Sequence, residues 1–171
     1  AFQSSQISAM WPLYDRVIRA NALGNFRAML GATAQSAAMM HFLNQAQSDK
    51  RHPNENYARE VMELHTLGIA RYLGLTTPPG MAGAGYSDED VQAAARVLTG
   101  WTIANGRRKA ADGSRPSDGS FIFSPQMHDT DAKTVFTIDF PAGGGAEEGE
   151  AVLDYLAAHI GTAQQIAAKL Y

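Results

Sequence analysis

The chain contains no cysteine among its 171 residues, which excludes disulfides, thiolate-held zinc, iron–sulfur ligation and a cysteine nucleophile. Nor is there an excess of positive charge: 14 Lys+Arg against 17 Asp+Glu give a formal net charge of -3. Nucleic acid and anionic membranes are recognised through basic stripes, so nucleic acid is not an expected partner. No apolar run approaches the roughly 20 residues of a membrane-crossing helix, and the first residues do not read as a basic-then-apolar leader. The G-x-S-x-G elbow, the H-E-x-x-H pair and the P-loop are all missing. Gly80, Gly83 and Gly85 stand in the wrong order for a dinucleotide fingerprint. The stretch 112–120 lacks calcium ligands at its third and fifth places and puts Phe123 where the bidentate Glu belongs.

What is present is apolar and helix-patterned. At 45% hydrophobic residues, the chain can bury one core, so a single domain over 1–171 is expected. Its opening on Ala1 and a helical pattern running to the last residue read as a fragment of a longer protein. Met10, Leu13, Tyr14, Val17 and Ile18 share one helical face; Asn25 caps a second helix, and Ser36 a third carrying Met39, Met40, Phe42 and Leu43. The methionines at helical spacing are read as core filler. Pro53 and Asn54 start a fourth helix ending at Gly68, with Tyr57, Val61, Leu64 and Gly68 on one side. Ser87 and Asp90 form a capping box for a fifth, which Gly100 ends and Trp101 follows to cover the core.

Residues 70–85 and 105–120 are Gly-, Pro- or charge-rich and read as flexible loops. Between and after them, Phe121 to Phe123 and Thr134 to Phe140 are expected to pair as one small β-hairpin. Glu147, Glu148 and Glu150 suit the start of a helix. Gly161 is expected to break it, and Thr162 to cap a last helix with Ala163, Ile166, Ala167 and Leu170 facing inward. The fold class is mainly α: a multi-helix globular domain with one small β-hairpin insertion.

Two places could carry chemistry. On the polar face of the fourth helix, Asn56, Glu60 and Glu63 project together, and two carboxylates one turn apart can share a metal or a proton. The plainer account of that face is an ion-pair ladder Glu55–Arg59–Glu63. In the turn after the first strand, His128, Asp129 and Asp131 crowd one imidazole and two carboxylates, a donor set that suits a divalent metal. Turns are also rich in Asp for conformational reasons alone. His65 falls in the apolar arc and reads as a hydrogen-bonded core histidine, and His159 as a cation at a helix C-terminus.

The stretches PNENYAREVMELHTLGI (53–69) and GYSDEDVQAAARVLTGWT (85–102) closely resemble a bacterial family known as domain of unknown function 1800 (DUF1800). The likeness extends through NALGNFRAML (21–30), Phe121, Phe123, His128, Asp129, Lys133 and the final HIGTAQQIAAKL. It implies a mostly helical protein, often exported, hence periplasmic or extracellular, without an established reaction. Asn54, Asn56, Arg59, Glu60, Glu63 and Trp101 form the polar motif that the resemblance marks, with His128 and Asp129 beside it. This chain departs from the family pattern in an insertion over 70–84 and in Ile160-Gly161 after the histidine. Two functions follow: an exported scaffold or partner-binding module with a protein partner, or a metal-dependent enzyme built from the fourth-helix carboxylates and the His-Asp turn.

Overall fold

A computed structural model describes residues 2–170, with side chains from Met10 onward. Local start signals account for most of its helices. After α1 (Phe2–Asn21), the Asn25 side chain accepts from the Ala28 N–H to open α2 (Phe26–Ala34). Ser36 caps α3 (Ala37–Phe42) through Met39 N–H, and Asn54 caps α4 (Glu55–Glu63) through Tyr57 N–H. The Ser87–Asp90 capping box opens α5 (Asp88–Val97) as the spacing predicts. The last two helices are α6 (Ala146–Ala158) and α7 (Ile160–Leu170).

The chain is 47% helical, but the β structure differs from the expected single hairpin. Two separate antiparallel pairs form: β1 (Trp101–Ile103) with β2 (Phe121–Phe123), and β3 (Lys133–Val135) with β4 (Ile138–Phe140). Phe121 to Phe123 pairs instead with the segment after α5, which begins just past Gly100 at φ +82°. A side chain at Gly100 would also press on the Ser124 carbonyl at 2.8 Å. The stretch 134–140 folds on itself through Phe136, whose φ of +57° is rare for a bulky residue. Asp90 holds that turn: its Oδ1 accepts the Phe136 N–H at 2.7 Å, while Oδ2 accepts from Ser87 N–H at 2.9 Å and Ser87 Oγ at 2.8 Å.

The core gathers Tyr57, Val91, Ala94, Trp101, Leu153 and Leu156 with Met39 and Met40, so the methionines are core filler as read. Phe42 is not; it is 64% exposed. The end of α4 also comes a turn before Gly68. The Thr66 hydroxyl donates to the carbonyls of Val61 and Met62, and Leu64 turns outward. The break before α7 lies at His159, not Gly161. The His159 ring caps α7, Nδ1 accepting the Gly161 N–H and Nε2 donating to the Gly83 carbonyl, both at 2.8 Å. It thus closes the C-terminus of α6, where it was expected, and its ring also serves the N-terminus of α7. Of the α7 residues expected to face inward, Ala163, Ala167 and Leu170 are exposed and Ile166 is half-buried.

The two loops are anchored by hydrogen bonds to backbone groups. Leu73 N–H donates to Tyr86 O and Tyr86 N–H to Arg71 O, closing the base of 70–85. Asn105, Asp112 and Asp118 accept N–H groups two residues ahead along 105–120, the local bonding that Asx residues bring to turns.

Because Asp90 serves a helix start and a strained turn together, Asp90→Ala is expected to cost about 3 kcal/mol, against about 1 kcal/mol for Ser87→Ala, which removes one cap. Urea denaturation of the two variants checks the order.

Candidate functional site

The residues singled out from the sequence fall into two separate places. Around α4, Asn54 is structural on both ends of its amide: Oδ1 caps the helix and Nδ2 donates to the Leu43 carbonyl at 2.7 Å. Asn56 is exposed and lies on the rim of an open polar hollow with Asn54, Ser48 and His52. The expected ladder is not what Arg59 joins. Its Nη2 reaches Asp88, in the first turn of α5, at 2.9 Å, so this charge pair ties α4 to α5. Glu63 is half-buried; burial first, and then the Glu63 charge, push the Tyr86 hydroxyl up to about 12.

Glu60 faces the other way. With His65 it lines a pocket of about 480 Å3 between α1, α3 and α4. The remaining walls are apolar: Trp11, Tyr14, Ala38, Met39, Phe42, Leu43 and Leu64. Three of them, Trp11 (55% exposed), Phe42 (64%) and Leu64 (54%), stand open to solvent. His65 is thus a wall residue instead of a hydrogen-bonded core histidine, and no hydrogen bond reaches its ring among the described residues. Burial first, and then the nearby Lys169 ammonium, lower its affinity for a proton. No spacing rule could have placed α1 and α3 against α4. The exposed Phe42 and Leu64, read as core from their periodicity, are the signal that was available.

The second place is a buried polar cluster where α5, β3 and α6 meet. His128 Nδ1 lies 2.7 Å from the Thr99 carbonyl and so carries the hydrogen that it donates. His128 Nε2 lies 3.2 Å from Glu148 Oε2, but off the direction a hydrogen bond requires. Lys133 Nζ donates to Glu148 Oε2 and to the Asp129 carbonyl, each at 2.7 Å. The three side chains are 1%, 3% and 0% exposed for His128, Glu148 and Lys133. Asp129 turns away from this group toward Arg96, which it meets with both oxygens at 2.7 and 3.3 Å. Burial raises the Asp129 carboxyl, but Arg96 and the Asp131 N–H outweigh it and hold the group below the usual carboxylate range. Asp131 is itself exposed.

Trp101 lies over α6 at Gly149, where a Cβ would sit 2.4 Å from the indole. Glycine alone allows that approach. The indole Nε1, His128 Nε2 and Glu148 Oε1 are buried without a hydrogen-bond partner.

The structure therefore does not bring the α4 carboxylates and the His-Asp turn into one site. Glu60 faces a pocket of α1 and α3, whereas His128 and Asp129 are held by Thr99 and Arg96. Among the described residues, no three His, Asp or Glu side chains are grouped to hold a metal ion. The members that sequence reasoning passed over are Arg96 and the buried Glu148. The latter was hidden among three acids at a helix start, where solvent and the helix dipole suffice to explain it.

Two expectations follow. Glu148→Gln leaves the Lys133 ammonium buried without a counter-charge and is expected to cost about 3–5 kcal/mol, whereas Lys133→Met with Glu148→Leu recovers most of the loss; chemical denaturation reads both. Because the folded Asp129 carboxyl is depressed, its contribution is present above the unfolded value near ~3.9 and lost as pH falls through the folded value. A thermal melting series from pH 5 downward is expected to fall less steeply for Asp129→Asn than for the parent.

In comparisons with known proteins, the family described as "Protein of unknown function (DUF1800)" matches the chain over residues 1–171. Searches of curated proteins and of solved structures each found no match.

Proposed function

For a chain that belongs to the DUF1800 family over its whole length, we propose that the domain is a scaffold and binding module whose working surface is the pocket between α1, α3 and α4. The observation that carries this reading is a contrast between the two places. The groups suited to acid–base chemistry, His128, Glu148 and Lys133, are enclosed: the hydrogen bonds they make run to neighbouring side chains or the backbone, and their unpartnered atoms, His128 Nε2 and Glu148 Oε1, are buried away from solvent. A general acid or base must reach the proton it moves, and these reach only their own neighbours. The open site offers apolar surface and a single carboxylate, the composition of a binding pocket.

The polar motif of α4 fits the same reading. Asn54 and Arg59 fasten α4 to the Leu43 carbonyl and to α5, fixing the wall from which Glu60 and Leu64 project. Among the described residues, no helix is long and apolar enough to cross a membrane. Export to the periplasm or the exterior is part of the proposal and rests on the family likeness alone.

An apolar dye whose emission rises in dry surroundings tests the reading. One dye per chain is expected to bind, and Leu64→Arg is expected to weaken it at least about tenfold with a stability change within about 0.5 kcal/mol, since Leu64 is an exposed side chain. Dye binding that is indifferent to Leu64→Arg contradicts the assignment.

A further inference from the structure

We infer that the pocket takes a small cationic amphiphile, an apolar body carrying an ammonium group. The inference rests on the binding reading above and names the chemistry of the occupant. Its volume of about 480 Å3 lies within the roughly 300–1,000 Å3 of small-molecule sites. Apolar walls supply affinity without selecting charge, so selection falls to the polar groups among them.

Those groups favour a cation. Glu60 is half-buried and has neither a hydrogen bond to its carboxylate nor an ion pair among the described residues, so its charge is unanswered in a mostly apolar wall. His65 answers it poorly, because burial and then the Lys169 ammonium lower the affinity of the imidazole for a proton. Lys169 donates to the Leu64 carbonyl at 2.8 Å and is exposed, so water screens its charge. Trp11 and Tyr14, an edge-to-face pair with centroids 5.7 Å apart, add ring faces that attract an ammonium group. An anionic amphiphile meets Glu60 as a like charge. A neutral one gains burial and nothing else.

The test follows Trp11 emission in the 171-residue chain, with buried Trp101 as a constant background. Hexyltrimethylammonium, hexanol and hexyl sulfate are titrated in turn. The ammonium compound is expected to bind about tenfold more tightly than hexanol, with the sulfate weakest. Glu60→Gln is expected to remove that tenfold preference and leave hexanol unchanged, and Leu64→Arg to abolish binding of both. Among the described residues Glu60 makes no side-chain hydrogen bond, so the Gln variant is expected to keep the parent melting temperature. Equal affinity for ammonium and hexanol, or an ammonium affinity untouched by Glu60→Gln, overturns the cation assignment while the binding reading stands. If no probe binds, both fail. A chain that sediments as a dimer and becomes monomeric with Leu64→Arg places a second copy in the pocket and also overturns the proposal.

Discussion

A charge taken out of water has to be answered where it lies, and in this chain Glu148 is answered by Lys133 at 2.7 Å. That pair brings together a helix and a strand that local sequence does not join. Lys133 extends the tie by donating to the Asp129 carbonyl, and Asp129 in turn grips Arg96 near the end of α5. Thr99 completes the circuit, its hydroxyl accepting the Asp129 N–H and its carbonyl accepting from His128. Ionisable side chains here do the work of a clasp. Their polarity also fixes a unique arrangement, since any slip of β3 against α6 would leave Lys133 or Glu148 buried alone.

The clasp explains why two small sheets occur in a mainly helical domain. β3 presents Lys133 to α6, and β1 carries Trp101 onto Gly149, where the absence of a side chain lets the indole rest on the helix. Asp90 then links the start of α5 to the β3–β4 turn. Strands, helices and turns are thus joined by a few polar contacts around an apolar interior. One surface that lies outside this system is the face of α1, α3 and α4, where Trp11, Phe42 and Leu64 stay open.

How far the sequence was legible follows from the range of each interaction. The caps at Asn25, Ser36, Asn54 and Ser87 operate across two or three residues, so spacing reveals them. The pairing of Trp101 with Phe123 spans a long polar loop, and nothing in either strand names its partner. Periodicity gives a helix an apolar face without saying whether anything covers it, and Leu64 and most of the apolar positions of α7 lie uncovered. Helical spacing offers Arg59 neighbours one turn away, whereas Asp88 comes close only through the packing of α4 on α5. Of the candidate residues, Glu60 reached an open pocket and the His-Asp turn became part of the clasp. Proximity in sequence held no information about that division.

The central claim is that binding occurs at the α1, α3 and α4 face while the clasp is structural. Amide chemical-shift mapping with hexanol, a neutral probe, addresses it most directly. The account predicts shifts concentrated at Trp11, Met39, Phe42, Leu64 and His65, with Thr99, His128, Lys133 and Glu148 unmoved. Shifts concentrated on those last four residues would contradict it.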